Sequence, residues 1–246
     1  MMQGREGDKM CKVTVIFPLY ELSSETKRAI LSVKRQSIRE DIELIILDLR
    51  SEKAKGESVD IASYFDNMDI RIKIILGGVK KSQQVFNEAT GNAKGEYILF
   101  LAQNCVLTKN ILEILYFHAC QNDADILIGN VAKQRGKNID VESVVGRKIG
   151  GNEALNLVAR KDILNADLSL YNKFMKRNTV KISGAIFTRS NANRGFLTQV
   201  EDGAQNIFLI NREICLCGDK RIYEYRKKTV KDYARAIARR VRKALK

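Results

Sequence analysis

The sequence predicts an α/β protein in which a mostly parallel β-sheet is flanked by helices. Short apolar runs rich in β-branched residues alternate with helical patterns, as expected for parallel strands joined by right-handed crossovers. The chain has 246 residues, 45% of them hydrophobic, which is enough to bury one sizeable core. In addition, apolar residues recur at helical spacing among many basic residues at the C-terminus, which predicts a basic amphipathic helix there.

The elements of the first half alternate regularly. Strands are predicted over residues 13–18, 42–47, 70–76, 97–101 and 126–128, and helices over 23–36, 58–67, 82–90 and 110–121. Ligands bind at the carboxyl ends of the strands in such sheets. The positions of interest are therefore 18–21, 48–51, 77–78 and 102–105.

The pattern weakens in the second half. Residues 133–150 are basic and contain glycine, which predicts a long loop. We expect helices over 153–159 and 201–211 and strands over 182–188 and 222–225. Cys215 and Cys217 then alternate on a strand and face the same side of it.

The net charge of +14 attracts anions such as nucleic acid, anionic lipid or phosphorylated substrates. Ten basic residues face a single acid, Asp232, over residues 226–246. We expect the helix over 229–246 to bind an anionic membrane surface; the alternative is that its apolar stripe packs on the protein's own core. Nucleic-acid binding is disfavoured, because the sequence has no zinc-finger spacing, RNP motif or aromatic stacking platform.

The five cysteines form no C-x-x-C pair, so we expect reduced, mostly buried thiols and no zinc site. The only histidine, His118, lies on a predicted helix and is interpreted as a structural residue. Residues 1–10 are polar and glycine-containing, which predicts a flexible tail. With no signal-peptide pattern and no apolar run of about 20 residues, we expect a cytoplasmic protein, peripheral to the membrane where the basic helix binds it.

Several short motifs occur in a recognisable order along the chain. They are VTVIFPLY at 13–20, AILSVKRQ at 29–36, ELIILD at 43–48 followed by Ser51, Asn87 followed by AKGEYI at 93–98, DADI at 123–126, NKF at 172–174, ED at 201–202 and YEYR at 223–226. In this order and spacing the chain resembles the family 2 glycosyltransferases, which have the Rossmann-like GT-A fold. The resemblance implies a nucleotide-sugar-binding half over 11–130 and an acceptor-binding half over 131–228.

The resemblance also implies roles for individual residues. The residues expected to contact a nucleotide-diphosphate sugar are Pro18, Tyr20, Asp48, Ser51, Asn87 and Asn104. Glu201 and Asp202 match the pair that supplies the general base, with Asp202 preferred. The alternatives are that Asp48 only caps a strand-to-loop corner and that Glu201 and Asp202 only supply favourable charge at a helix N-terminus.

One motif departs from the family. Where F-L-D-x-D-D is expected, this chain has FLAQNC over 100–105, so Ala102 and Asn104 replace two metal-binding carboxylates. Hard divalent cations need anionic oxygen ligands, so we expect no metal and no other cofactor. Lys173, Arg177 and Arg226 are candidates to offset the diphosphate charge instead, or are simply solvated at the surface.

Two functions follow from the resemblance. The first is an inverting transferase that moves a sugar from a nucleotide-diphosphate donor to a glycan or lipid-linked acceptor without a metal. The second is an inactive pseudo-glycosyltransferase that serves as a binding module or as the partner subunit of another glycosyltransferase.

Overall fold

The computed structural model describes residues 11–50, 70–78, 80–133, 155–158, 170–188 and 192–218. In chain order the strands are β1 Val13–Leu19, β2 Ile42–Asp48, β3 Arg71–Leu76, β4 Tyr97–Phe100, β5 Cys105–Leu107, β6 Ile126–Lys133, β7 Leu155–Leu157, β8 Lys173–Lys176 and β9 Ile207–Cys217. The α-helices are α1 Ser24–Lys34, α2 Ser82–Asn92, α3 Ile111–Gln121, α4 Arg177–Ile182 and α5 Ala192–Gly203, and a short 3₁₀ helix spans Arg39–Asp41.

The strands form one sheet in the order β3-β2-β1-β4-β8-β6-β9-β5, and β7 also pairs with β9. β1 is parallel to β2 and β4, and β2 is parallel to β3. β8 runs antiparallel between β4 and β6, so β6 and its parallel neighbour β9 point the same way as β1. The predicted α/β fold with a mostly parallel sheet is confirmed.

Both faces of the sheet are buried, which explains the nearly continuous apolar runs. On one face Val13, Val15 and Phe17 of β1 share a core cluster with residues of α1 and α3. On the other, Ile16 and Phe100 share a cluster with residues of α2 and α5. The N-terminus of α1 is as predicted, because the Ser23 hydroxyl accepts a hydrogen bond from the backbone N–H of Thr26.

Three predicted elements of the second half are wrong. Leu155–Leu157 forms a strand rather than part of a helix. The strand expected over 182–188 is absent, since α4 ends at Ile182 and the following residues take no strand pairing among the described residues. Beyond Gly203 the predicted helix over 201–211 gives way to β9, where pairing with β5, β6 and β7 overrides the local pattern.

The thiols also differ from expectation. Cys105 and Cys217 form a disulfide because β5 and β9 place them directly opposite each other, with Cα atoms 4.2 Å apart. Cys11, Cys120 and Cys215 are free, and Cys120 is exposed. The prediction that Cys215 and Cys217 face the same side is confirmed, since their Sγ atoms are 3.5 Å apart.

Several predictions lie outside the described residues: the tail 1–10, the helix 58–67, the loop over 134–150, the strand 222–225 and the helix 229–246, together with Ser51 and Arg226. Within the described ranges, none of the helices is both long enough and apolar enough to cross a membrane.

Candidate functional site

The candidate site is the sheet edge at which β1, β2 and β4 end. These parallel strands bring Leu19, Asp48 and Phe100 to the same edge. Pro18 is buried within β1, whereas the next exposed residue, Tyr20, has 54% of its surface accessible. Gly77 closes this edge, because its N–H bonds the Asp48 carbonyl at 2.9 Å and an added Cβ would lie 2.7 Å from that oxygen.

A buried ion pair occupies the end of β2. The guanidinium of Arg50 donates from Nε to Asp48 Oδ1 at 3.0 Å and from an Nη to Oδ2 at 3.2 Å. Oδ1 also accepts the backbone N–H of Arg50, so Asp48 does cap the strand-to-loop corner. The pairing of Arg50 with Asp48 was not predicted from the sequence. The one signal for it is that an arginine follows a strand-terminal aspartate by two residues.

Gln103 fastens the ends of β1 and β4 together. Its Oε1 accepts the backbone N–H groups of Tyr20, at 2.8 Å, and Glu21, at 3.2 Å, and its Nε2 donates to the carbonyl of Glu21. The two loops of the candidate site are therefore joined by an amide side chain. The sequence analysis did not identify Gln103, which lies between Ala102 and Asn104, the residues that replace the metal-binding carboxylates.

Asn104 is engaged with the end of β9. Its side-chain Nδ2 donates to the Gly218 carbonyl at 3.3 Å, and the backbone carbonyl of Asn104 accepts the Gly218 N–H at 3.0 Å. Ala102 is buried and offers no ligand atom. Residues 102–104 therefore do not fit a hard divalent cation.

The amide of Asn87 holds a distant segment rather than facing the edge. Its Oδ1 accepts the Phe187 N–H at 2.7 Å and its Nδ2 donates to the Phe187 carbonyl at 3.1 Å. These two hydrogen bonds connect α2 to the segment that precedes α5.

Of the three basic residues expected to offset the diphosphate charge, the structure describes Lys173 and Arg177. They lie at opposite ends of β8. Lys173 begins β8, next to the carboxyl end of β4, and is fully buried with Nζ 3.1 Å from Asn172 Oδ1. The alternative interpretation, that Lys173 is solvated at the surface, is therefore wrong. Arg177 follows β8 and donates to the carbonyl of Gly95, which precedes β4, so the structure places it at the opposite edge from Asp48.

Glu201 and Asp202 lie in the last turn of α5, not at a helix N-terminus, so the interpretation as N-terminal helix charge is wrong. Neither oxygen of the buried Glu201 has a hydrogen-bond partner among the described residues. Burial raises the pKa of Glu201 to about 7; the charge of Lys173 opposes this rise and that of Asp202 adds to it. Asp202 is exposed.

The end of α5 lies away from the candidate site. The backbone N–H groups of Gln205 and Asn206 bond Asp125, which immediately precedes β6. Because β6 points the same way as β1, its start lies at the edge opposite Asp48. The structure thus brings Pro18, Tyr20, Asp48 and Asn104 to one edge, with Lys173 close by, and leaves Arg177 and Asp202 at the other. Glu201 lies within electrostatic range of Lys173 and is therefore nearer to the candidate edge than Asp202 is.

This fold and its polar carboxyl-end edge define a Rossmann-like α/β protein whose candidate ligand site lies at the ends of its parallel strands. The model of the family described as Glycosyl transferase family 2 matches residues 14–202, well over half of the chain. The chain therefore belongs to glycosyltransferase family 2.

Curated relatives agree with this assignment, and solved structures share the fold. Poly(ribitol-phosphate) beta-N-acetylglucosaminyltransferase TarP of Staphylococcus aureus is 30% identical over 157 residues, covering 63% of this chain and 45% of that protein. Glycosyltransferase GlyG of Streptococcus pneumoniae is 28% identical, over 48% of this chain and 38% of its own length. S. aureus TarS 1-349 in complex with UDP-GlcNAc has the same fold, with a TM-score of 0.68 at 16% identity, covering 85% of this chain and 59% of that one. The chain spans less than half the length of the curated relatives it matches.

Proposed function

We propose that this chain transfers a sugar from a uridine-diphosphate donor to a hydroxyl of a glycan or polyol-phosphate acceptor. The observation that carries the proposal is the family match over 14–202, which includes the three strands whose ends form the candidate site. The chemistry follows two similar proteins: TarS, which has a complex with UDP-GlcNAc, and TarP, named for transfer to poly(ribitol-phosphate).

The donor would lie along the edge formed by Tyr20, Asp48 and Asn104. The exposed Tyr20 ring offers a stacking surface for a base, and the Asp48–Arg50 pair presents a fixed polar group to the nucleoside. Ser51 belongs to the same proposed set on sequence grounds, as does Asn87, although the amide of Asn87 is already bonded to Phe187.

The proposed transfer needs no metal. With Ala102 and Asn104 in place of two carboxylates, positive charge near the diphosphate has to come from side chains. Lys173 is the described candidate nearest that edge, and Arg226 is a second on sequence grounds.

Inversion at the sugar carbon requires a base that removes the acceptor's proton. We assign this role to Asp202, because it is exposed whereas both oxygens of Glu201 are buried. The assignment to this pair of residues rests on the sequence resemblance alone. The position of Asp202 at the edge opposite Asp48 counts against it, because a general base has to lie within hydrogen-bond reach of the acceptor hydroxyl. Asp202→Asn should then lower turnover about 10²–10⁴-fold and leave donor binding intact. Unchanged turnover would move the role elsewhere, with Glu201→Gln the next variant to assay.

The donor is tested by thermal shift with UDP-, GDP-, CDP- and dTDP-sugars, each with and without Mn²⁺. We expect a UDP-sugar to raise the melting temperature equally in both conditions, and Tyr20→Ala, at an exposed position, to reduce the shift. A shift that requires Mn²⁺ would contradict metal-independent binding.

A second candidate function is a pseudo-glycosyltransferase that binds a partner enzyme or a glycan. The observation that favours it is the engagement of Asn104 with Gly218 at the position where the family carries a metal ligand. A UDP-sugar that binds but is neither transferred nor hydrolysed, together with a wild-type-like Asp202→Asn variant, would support this function.

A further inference from the structure

A groove of 590 Å³ lies between helix α1 and the edge strand β5. Its size is that of a site for a small organic ligand. Its walls are fixed to each other, because the Ser32 hydroxyl of α1 accepts the Leu107 N–H of β5 and Gln36 donates to the Thr108 carbonyl. Asn104 lines the groove and also belongs to the candidate donor edge, whereas Tyr20, Asp48 and Arg50 do not line the groove, so the groove adjoins that edge.

One wall of the groove is aliphatic and open to solvent. Val106 and Leu216 are register partners on β5 and β9, so their side chains project from the same face of the sheet. Leu31 of α1 also lines the groove, and Leu31 and Leu216 each have 43% of their surface exposed. An apolar surface of this kind is most stable when another apolar group covers it.

The rim of the groove is basic. Arg28 and Arg35 flank Leu31 on one face of α1, at a spacing of three and four residues, and Lys109 follows β5. All three are exposed, and within the described ranges their side chains form neither an ion pair nor a hydrogen bond. Glu25 is the one acid among the lining residues, so an anion is favoured here.

We propose that this groove binds one anionic lipid of a membrane surface. The lipid phosphate lies among Arg28, Arg35 and Lys109, and the first part of its hydrocarbon chain covers Leu31, Val106 and Leu216. A simple anion would leave the aliphatic wall in water, and a neutral amphiphile would leave three cations without a counter-charge, so the two features together select an amphiphilic anion.

The charge of the chain's own C-terminal segment disfavours it as the occupant. Residues 226–246 carry ten bases and one acid and would be repelled by the rim. This segment begins eight residues after Gly218, which lines the groove, so two basic features lie close together along the chain. A shared anionic surface satisfies both. The proposal does not rest on sugar transfer.

The test uses the full chain and isothermal titration with dodecyl phosphate below its micellar concentration. Dodecyl maltoside and inorganic phosphate are the comparison ligands. We expect dodecyl phosphate to bind and each comparison ligand to bind at least about tenfold more weakly, since each lacks one half of the interaction. Equal binding of the maltoside, or of inorganic phosphate, would overturn the proposal, as would no binding of dodecyl phosphate.

Two double variants locate the site. Arg28→Gln with Arg35→Gln should weaken the binding of dodecyl phosphate about 25-fold, at about fivefold for each cation. Leu31→Ser with Leu216→Ser should weaken it about tenfold or more. The matched controls, Lys181→Gln and Ile182→Ser, remove an exposed cation and an exposed aliphatic side chain from α4 and should bind as wild type.

Wild-type affinity in both double variants would show that the ligand binds elsewhere, for example on the basic C-terminal segment, and would overturn the proposal. A vesicle assay then tests the source of the lipid. Co-sedimentation with phosphatidylglycerol vesicles should fall in the same two variants and not in the controls. If vesicle binding is unchanged while dodecyl phosphate binding is lost, the groove does not take a membrane lipid.

Discussion

Glu201 should make the stability of this protein fall as pH rises through the neutral range. Its carboxyl group is buried, and neither oxygen has a hydrogen-bond partner among the described residues. Burial favours the neutral form, which raises the folded-state pKa from its ordinary value of 4.5 to about 7. The substitution Glu201→Gln retains the shape of the side chain and removes its charge.

The size and sign of the effect follow from this shift. Below about pH 4.5 the carboxyl group is protonated in both the folded and the unfolded chain, so it costs no ionisation energy. Between about pH 4.5 and 7 the unfolded chain loses the proton first, and the folded state is progressively destabilised. Above about pH 7 the penalty is complete, at about 3 kcal/mol from 1.36 kcal/mol per pH unit.

The assay is urea unfolding from about pH 4.5 to pH 8, for wild type and Glu201→Gln. We expect the difference in unfolding free energy between the two proteins to change by about 3 kcal/mol across this range, in favour of the variant at high pH. Glu25→Gln, at an exposed position of α1, is the control for loss of one glutamate. Parallel curves for wild type and Glu201→Gln would refute the reasoning.

Three further predictions concern the candidate edge and its surroundings. Asp48→Asn should destabilise the fold by about 3–5 kcal/mol in urea unfolding, because it leaves the buried Arg50 guanidinium without its counter-charge; a loss below 1 kcal/mol would contradict a tight pair. Gln103→Ala removes three hydrogen bonds between the β1 and β4 loops and should cost about 1–2 kcal/mol, with Gln205→Ala as the amide control. Cys105→Ser with Cys217→Ser should lower stability by about 2–4 kcal/mol, and a reductant should lower wild type by a similar amount and leave the double variant unchanged.

The first half of the fold could be predicted because local signals and tertiary structure agree there. The apolar runs of β1 and β2 are buried on both faces, so each strand appears in the sequence as an almost unbroken apolar segment. Ser23 and the apolar positions Ala29, Ile30 and Val33 likewise specify both the start and the buried face of α1.

The helix predicted over 201–211 is wrong because one apolar spacing fits both a helix and a strand. From α5 into β9 the buried residues Val200, Ala204, Ile207 and Ile210 are spaced by three or four, which is the period of a helix face. Pairing with β6 on one side and with β5 and β7 on the other stabilises the strand instead of the helix. The pairing with β6 has an irregular register at Asn130. These partners are distant in sequence, so no local pattern reveals them.

The same distinction between local signals and distant contacts applies to the candidate site. The positions of Tyr20 and Asp48 follow from the ends of predicted strands, whereas the roles of Arg50 and Gln103 depend on loop geometry. Two of the polar side chains in the strand-end loops are directed at the protein itself: Gln103 bonds the backbone of Tyr20 and Glu21, and Asn104 bonds Gly218.

These contacts explain why aspartate would be unfavourable at positions 102 and 104. Asp at position 104 would place a negative charge against the carbonyl of Gly218, which now accepts the amide of Asn104, and Asp at position 102 would bury a charge in an apolar setting. The segment is held instead by neutral hydrogen bonds and by the neighbouring Cys105–Cys217 disulfide. A loop secured in this way does not need a cation to order it. Under the proposed function, the diphosphate of a donor at this edge is neutralised by lysine or arginine side chains.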